Sequence, residues 1–533
     1  MIVLGINPCF TANHHDPSAV LIIDGEVVVA IEEERLNRVK TSIGLFPSRA
    51  IKFCLDYAGI GIEQVDCIAS PGITTPELSE KIRCVLIHDY GYSPPIELLA
   101  HYLCHAAGAY YSSGFTDSLV VSVDGYGDKI STWVGKGSAE GLSELFKVEG
   151  ASSIGNFFAQ FTEYLGFIRT EGEFKVMGMA AYGTPTYNLS EFLYSNGNSY
   201  TTNTAKLSPS HKITSTFEPC VNHAYLQSRD FPKRHSLSKK FSQEHFNLAA
   251  SVQCAFEDAY LGMISRHRYI SPQVCLAGGS ALNCLANGKL LSIFDDVFVM
   301  PAASDRGLSL GAALLLSAQR GCRTKPPENM FLGGQYSDDD AMRIFDLHGI
   351  SYQHLNQPES YAATDIADGK IIGWHKGRSE FGPRALGARS ILASPSRSGM
   401  KAEINRKIKF REEYRPFAPA ILESEARTYG VLKSFPFMTI ATTPSSELAA
   451  RIPETVHADG TARIQTISEH GEPLSELLQC LRAIGEFPAV INTSFNLSGE
   501  PIVETPVDAV RTFYSCGMDV LYVGGLRLAK KAN

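Results

Sequence analysis

Two histidines four residues apart, His101 and His105, lie in a Leu- and Ala-rich stretch from Pro95 to Tyr111. On a helix, positions i and i+4 point the same way, so the two imidazoles could share one ion. Taken alone, the pair reads sooner as two histidines on a half-buried helix face. Two acids shift the balance: Asp124, which opens Asp124-Gly-Tyr-Gly-Asp128, and Asp305 in Asp305-Arg306-Gly307. Two imidazole nitrogens and two carboxylates form a mixed set that suits Fe(II), Mn or Zn and leaves positions open for a substrate oxygen.

Three Gly-rich turns accompany these residues: Asp124-Gly125-Tyr-Gly127, Gly278-Gly279-Ser-Ala-Leu-Asn283 and Asp305-Arg-Gly. Each could bring backbone N–H groups and a helix N-terminus up to phosphate oxygens. A single such turn reads as structural glycine. Three in one α/β chain, with acids at strand ends, point to the nucleotide cleft of the actin and sugar-kinase superfamily. A third constellation is cationic: Lys376, Arg378, Arg384 and Arg389, then Arg406, Lys407, Lys409, Arg411 and Arg415. Arginine forks match carboxylate and phosphate, and lysine adds a point charge, so an anionic ligand is implied. A solvated patch or an RNA-binding face competes, but only Phe410 and Tyr414 offer stacking surface. Asn492-Thr-Ser494-Phe-Asn496 adds amide and hydroxyl groups after the strand Ala489 to Ile491.

The elements that must carry these groups follow from periodicity. Ile2 to Ile6, Ser18 to Ile23 and Glu26 to Ile31, with an Asp24-Gly25 turn, predict an opening β-meander. Helical spacing from Pro47 ends at Gly59. Short strands are predicted at Val65 to Ser70, Ser118 to Asp124, Gln273 to Ala277 and Val297 to Pro301, with helices from about Ala281 and over Leu308 to Arg320. The segment 184–245, rich in Asn, Ser, Thr and Tyr, reads as an irregular insertion without chemistry. A domain boundary is expected near 350 to 360. No sequence repeat is visible.

The 533 residues correspond to about three to five domain equivalents, or two large units. Forty-eight basic against 56 acidic residues give net −8, which lacks the excess of positive charge expected of a non-specific nucleic-acid binder. The apolar runs are far shorter than the roughly 20 residues a bilayer span needs, so no membrane association is expected. The N-terminus reads as a strand and not as a secretion signal, which makes the cytoplasm the expected location. Twelve scattered cysteines without a CxxC pair read as reduced, mostly buried residues.

Nine ordered strings carry a resemblance over nearly the whole chain: His15-Asp-Pro-Ser-Ala19, Glu32-Glu-Glu-Arg35, His101-x-x-x-His-Ala-Ala107, Val123-Asp-Gly-Tyr-Gly-Asp128, Gly172-Glu-Phe-Lys-Val-Met-Gly178, Ala277-Gly-Gly-Ser-Ala-Leu-Asn283, Gly377-Arg-Ser-Glu-Phe-Gly-Pro-Arg-Ala-Leu-Gly387, Lys409-Phe-Arg-Glu-Glu-Tyr-Arg-Pro-Phe-Ala-Pro419 and Asn492-Thr-Ser-Phe-Asn496. They resemble those of the NodU/CmcH carbamoyltransferases. The resemblance implies an α/β protein with an actin-like, ribonuclease H-like duplicated domain over 1–355, similar to the tRNA threonylcarbamoyl-transferase, and a YrdC-like domain over 356–533. It further implies that the C-terminal site makes carbamoyl adenylate from carbamoyl phosphate and ATP, with Mg2+ accompanying ATP, and that the N-terminal site passes the carbamoyl group to a hydroxyl.

Carried over by motif, Arg384, Lys409, Arg415, Arg463, Asn492 and Ser494 would hold carbamoyl phosphate and the adenylate, with Lys409 and Arg415 catalytic. His101, His105, Asp124 and Asp305 would bind iron or another divalent metal; Gly125, Gly127, Gly278, Gly279 and Asn283 would line the nucleotide. His15 is the candidate base, on the argument that an imidazole neutral near pH 7 suits the task, against the alternative that it makes a structural hydrogen bond. The expected acceptor is a hydroxylated small natural product such as an antibiotic or sugar-bearing metabolite, with no nucleic-acid partner and a homodimer left open. A tRNA-modifying enzyme and a non-catalytic actin-like ATP-binding module are the rivals; net −8 speaks against the first. The chain departs from the family at Lys40-Thr41-Ser42 and Trp374-His-Lys-Gly-Arg378, which leaves the acceptor pocket open.

Overall fold

The computed structural model describes residues 1–12, 14–195, 198–203, 206–207, 221–229, 231–232 and 240–530. By their contacts these divide into two compact units: residues 1–33 with 41–328, and residues 34–40 with 329–533. The division falls before the expected 355/356 boundary. Helix Asp338–Leu347 packs Ala341 and Phe345 into the core of the second unit, which accounts for its placement there.

In the first unit, strands β1 (Ile2–Asn7), β2 (Ser18–Ile23) and β3 (Glu26–Glu32) form the expected meander. The turn between β2 and β3 places Asp24 and Gly25 at positive φ, as a two-residue hairpin loop of matching twist requires. The chain then returns through helix Ser48–Ala58, stopped by Gly59 at φ 66°. Strand β4 (Cys67–Pro71) runs parallel to β1, and β5 (Ile96–Leu99) runs parallel to β4. The sheet order is β3-β2-β1-β4-β5.

The same plan then repeats. Strands β6 (Ser118–Gly127), β7 (Ile130–Ser138) and β8 (Gly141–Glu149) form an antiparallel meander. After a small hairpin of β9 (Leu193–Ser195) and β10 (Tyr200–Thr202), β11 (Gln273–Ala277) pairs parallel to β6 and β12 (Asp296–Val299) pairs parallel to β11. The order β12-β11-β6-β7-β8 repeats the first sheet strand for strand. This is the duplicated α/β architecture of actin-like proteins, although no sequence repeat announces it. The expected helix from Ala281 is instead a 3-10 turn, Gly279–Leu282, followed by helix Cys284–Lys289. Much of the predicted irregular insertion, including 208–220 and 233–239, lies outside the described residues.

Two helices pack closely in this unit. Helix Leu308–Gln319 is apolar on nearly all sides and buried for almost its whole length, as a central helix should be. Where it meets helix His101–Ser113, both sides are glycine. A Cβ on Gly311 would lie 1.8 Å from the Cys104 carbonyl oxygen, and one on Gly108 would lie 3.5 Å from Gly311 Cα. That close approach brings the turn before helix Leu308–Gln319 toward the start of helix His101–Ser113.

The second unit is built on one eight-stranded mixed sheet. Its strands are β13 (Gln353–His354), β14 (Ile372–His375), β15 (Arg389–Ala393), β16 (Ala418–Leu422), β17 (Gln465–Ile467), β18 (Ala489–Ser494), β19 (Val520–Val523) and β20 (Leu526–Ala529), in the order β13-β20-β19-β14-β15-β18-β16-β17. Side chains alternate between two cores: Ile391, Ile491 and Leu521 join one with Phe417, Phe495 and Phe513, while Leu392, Val490 and Tyr522 join the other with Trp374 and Leu477. Among the described residues, no helix is long and apolar enough to cross a membrane, and the eleven cysteines are free.

Candidate functional site

His101 is the first residue of helix His101–Ser113, and His105 follows one turn later in the buried interior. Asp124 projects from β6 where the strand leaves the sheet, and Asp305 lies in the turn before helix Leu308–Gln319. The close helix packing gathers all four: one ligand atom from each lies within 4.8 Å of the others. The two Nε2 atoms are 3.1 Å apart, His101 Nε2 is 3.2 Å from Asp124 Oδ2, and His105 Nε2 is 3.5 Å from Asp305 Oδ1. The cluster predicted from sequence is therefore assembled.

Its electrostatics are those of a cation site. Burial opposes the charged form of His105, yet Asp124 and Asp305 outweigh it and push its pKa up to about 9. For Asp124, burial is likewise overcome, by His101 and His105, and its carboxyl is held well below the usual range. An imidazole pushed toward its charged form by two carboxylates marks a surplus of negative charge that a divalent ion would satisfy. The donor set thus fits the metal expected from sequence.

The glycines serve this geometry. A Cβ on Gly127 would stand 2.1 Å from the His101 ring, so only glycine admits the imidazole there. Gly278 holds φ 84° with its Cα against β6, where a Cβ would meet the Val123 carbonyl at 2.2 Å. Gly279 donates its N–H to Asp124 Oδ1 at 2.9 Å, fixing the carboxylate. Gly125 meets no such demand: its nearest Cβ neighbour, Asn156 Oδ1, is 3.5 Å away. Asn283 accepts from the Ala286 N–H, capping helix Cys284–Lys289, and exchanges hydrogen bonds with Gln253 in both directions at 2.9 and 3.0 Å.

His15 lies beside the cluster, with Nε2 4.0 Å from Asp305 Oδ2 and Nδ1 3.2 Å from Asp16 Oδ2. Asp16 in turn faces Arg306 at 3.0 Å. Burial works against a charge on His15, but Asp16 and Asp305 prevail and push its pKa up to about 9. That direction runs against the neutral imidazole from which its base role was argued.

In the second unit, Lys409 ends a five-residue π-helical turn, Asn405–Lys409, and Phe410 follows at φ 45°. Such widened turns recur at functional sites. The ammonium reaches β18 and the residues beyond it: Nζ donates to the Ser494 carbonyl and hydroxyl, the latter at 3.2 Å, to the Asn496 carbonyl at 3.1 Å and to Asn496 Oδ1 at 2.9 Å. Burial, then Arg411 and Arg415, drive the Lys409 pKa well below the ordinary lysine value. Burial, Arg415 and Arg463 do the same to Arg411. Arg415 faces Glu412 at 3.9 Å.

Asn492 joins this cluster from β18, donating to Gln465 Oε1 at 2.8 Å and to the Ala385 carbonyl, beside Arg384, at 3.3 Å. Its Oδ1 and the Nε of Arg463 are buried and meet no hydrogen-bond partner among the described residues. Buried polar atoms in that state, within crowded positive charge, suit a polar anionic ligand.

Other members of the basic run do different work. Arg389 is fully buried and donates to the carbonyls of Gly334, Lys376, Gly377, Ala388 and Glu504. Arg378 donates to the carbonyls of Leu332 and Gly333. Both brace the backbone; counting charge alone could not separate them from Lys409 and Arg415. Sequence reasoning also missed Glu380, whose buried Oε1 accepts from the N–H groups of Leu386, Gly387, Ala388 and Arg389 at 2.8 to 3.1 Å. That carboxylate shapes the loop bearing Arg384, and its place inside the Gly377-to-Gly387 string was the available signal.

Residues 77–314 match the family model described as Carbamoyltransferase N-terminus, and residues 363–530 match the one described as Carbamoyltransferase C-terminus. Nodulation protein NolNO of Sinorhizobium fredii is 36% identical over 560 residues, spanning 97% of this chain and 79% of that protein. Nodulation protein NolO of Bradyrhizobium diazoefficiens is 35% identical over 453 residues, spanning 81% and 79%. Among solved structures, the HypF of T. kodakarensis aligns at a TM-score of 0.37 and 11% identity over 61% of this chain and 48% of that one, a likeness too slight to argue from.

Proposed function

The chain belongs to the carbamoyltransferase family that includes the nodulation proteins NolO and NodU, and from that premise we propose that it is an ATP-dependent O-carbamoyltransferase acting on a hydroxylated small natural product. The supporting observation is the separation of two chemistries along the chain. The two-imidazole, two-carboxylate cluster falls inside the region matching the N-terminal family model, and the buried cationic cluster falls inside the region matching the C-terminal one.

The donor is made in two steps. Carbamoyl phosphate and water give carbamate and phosphate; a carbamate oxygen then attacks the α-phosphorus of ATP, releasing pyrophosphate and forming carbamoyl adenylate. Several negative charges meet in that step, and Lys409, Arg411, Arg415, Arg463 and Arg384 neutralise them while Asn492 and Ser494 orient the carbamoyl end. Mg2+ accompanies ATP.

In the transfer step the acceptor hydroxyl attacks the carbamoyl carbonyl, AMP leaves, and one proton is released. His101, His105, Asp124 and Asp305 would hold a divalent ion, with Fe(II) foremost, and a bound ion supplies Lewis acidity to a carbonyl or alcohol oxygen. Gly125, Gly127, Gly278, Gly279 and Asn283 border the nucleotide part of the adenylate. His15, with Nε2 4.0 Å from Asp305 Oδ2 at the edge of the cluster, would accept the acceptor's proton.

The test separates the half-reactions. His101→Ala should lose transfer yet keep carbamoyl-phosphate-dependent exchange of pyrophosphate into ATP, whereas Lys409→Ala should lose exchange. Full exchange by the Lys409 variant would overturn the placement of the first step. Incubation of the wild type with carbamoyl phosphate, ATP and hydroxylated metabolites, read by the mass gain of one carbamoyl group, identifies the acceptor.

A further inference from the structure

Helix His101–Ser113 begins without a cap of its own. Its N-cap residue is Ala100, in extended conformation, with no side chain to accept the N–H groups that every helix leaves open in its first turn. Yet the first residue of this helix, His101, belongs to the cluster and must be held. The acceptor comes from elsewhere: Asp128 Oδ2 takes the His101 backbone N–H at 2.8 Å. The other oxygen, Oδ1, takes both the N–H of Thr74 at 3.1 Å and its hydroxyl at 2.6 Å.

Asp128 follows directly on β6, four residues after Asp124. It sits at φ 50° and is followed by Lys129 at φ 66°. Gly127 pairs with Ile130, so Asp128 and Lys129 are the two-residue loop of the β6–β7 hairpin, which requires positive φ at both positions and fixes the direction of the Asp128 side chain. Here the turn points one carboxylate at two backbone segments. One is the first turn of the histidine helix; the other is the loop after β4, where Gly72 at φ 116° turns the chain into Thr74.

We propose that Asp128 is a positioning residue of the metal site: it fixes the start of the histidine helix against the strand end that supplies Asp124, and so sets the spacing between the His101 imidazole and the Asp124 carboxylate. Asp124 and Asp128 leave the same strand end four residues apart. The first faces the His101 ring and the second holds the His101 backbone, so the ring has little freedom to swing away. The carboxylate also opposes the positive end of the helix dipole. His105, one turn inside the helix and buried, depends less on this clamp. The inference rests on reading His101, His105, Asp124 and Asp305 as metal ligands.

The chemistry grades the substitutions. Asp128→Ala removes every acceptor. Asp128→Asn keeps one oxygen, which can serve His101 or Thr74 but not both, and turns an N–H2 group toward the remaining N–H. The experiment is titration of purified, metal-stripped protein with Co(II), following the visible absorption of the bound ion, with the thermal midpoint of the apoprotein measured in parallel. Binding should weaken in the order wild type, Asp128→Asn, Asp128→Ala, by about tenfold or more for the alanine, the range found when a group supporting a ligand is lost. The absorption bands should change shape as the His101 geometry relaxes.

A folded Asp128→Ala protein that binds Co(II) within about twofold of wild type, with an unchanged spectrum, overturns the proposal. Should that variant not fold, Asp128→Asn decides the matter by the same comparison. His105→Ala separates this inference from its premise. If the wild type and His105→Ala bind Co(II) alike, the ligand assignment itself fails, whereas a wild type that binds well and loses affinity only with His105 leaves Asp128 to be judged on its own variants.

Discussion

Replacing Lys409 by Met should abolish the proposed first half-reaction and leave the fold almost as stable as before. The ammonium makes contacts to Ser494 and Asn496 that, for a charged donor, are each worth about 1.5–3 kcal/mol in isolation. Against them stand the cost of burying an ammonium, several kcal/mol, and repulsion from Arg411 and Arg415. The depressed pKa shows which side wins: the fold favours the uncharged amine more than the unfolded chain does. Met keeps the length of the stem, Ser494 and Asn496 are half-buried, and the stability change should stay within about 1 kcal/mol. Pyrophosphate exchange should fall by about 10²–10³-fold, the loss typical when one buried donor to developing negative charge is removed.

The pH dependence follows from the same depression. Between the folded pKa of Lys409 and its unfolded value of about 10.4, the unfolded chain binds more protons, so this group's contribution to stability rises with pH. Lys409→Met should flatten that rise in urea unfolding measured across the alkaline range. A phosphate-bearing ligand reverses the shift, and its binding should be accompanied by proton uptake, visible as a buffer-dependent heat. Destabilisation by more than about 3 kcal/mol would show Lys409 to be a structural strut, and exchange retained within about threefold would show that it does not meet the donor.

Three further outcomes follow from the geometry. Gly127→Ala drives a Cβ into the His101 ring and should weaken Co(II) binding at least about tenfold with pyrophosphate exchange unchanged; intact affinity would show that the ring moves freely. Glu380→Gln keeps an oxygen for the four N–H donors but halves the strength of charge-assisted bonds, so unfolding free energy should drop by about 2 kcal/mol and the KM for carbamoyl phosphate should rise as the Arg384 loop loosens; no change in either contradicts this role. Asp365 is buried, which opposes its charge, but Lys370, Tyr522 and Arg527 hold its carboxyl below the ordinary value. Its contribution is therefore present above about pH 4 and lost as pH falls through the folded pKa. The stability gap to Asp365→Asn, about 2 kcal/mol at pH 7, should shrink in acid, and a gap that persists at low pH would contradict the linkage.

What could be read in advance was local. The meander, the helix ending at Gly59 and strand β11 each announce themselves through alternation, helical spacing or a turn residue within a few positions. The ligand types were legible because His101 and His105 stand one helical turn apart and acids stand at predicted strand and helix ends. The duplication came with the family resemblance and from no repeat in the residues, since two five-stranded sheets can share an order and direction without sharing side chains. The roles within the basic run were not legible: Arg389 and Arg415 are the same side chain in sequence, and only the carbonyls around the first mark it as a brace.

The sequence by itself determined the α/β elements, the placement of His101 and His105 one helical turn apart and the presence of a cationic segment, because these depend on neighbours along the chain. Tertiary structure decided that Asp305, some two hundred positions beyond His101, completes the cluster, and that Asp128 instead of a local cap holds the helix start. Those outcomes turn on packing: with glycine at 108 and 311, two helices approach closely enough for groups on distant segments to share a few ångströms of space.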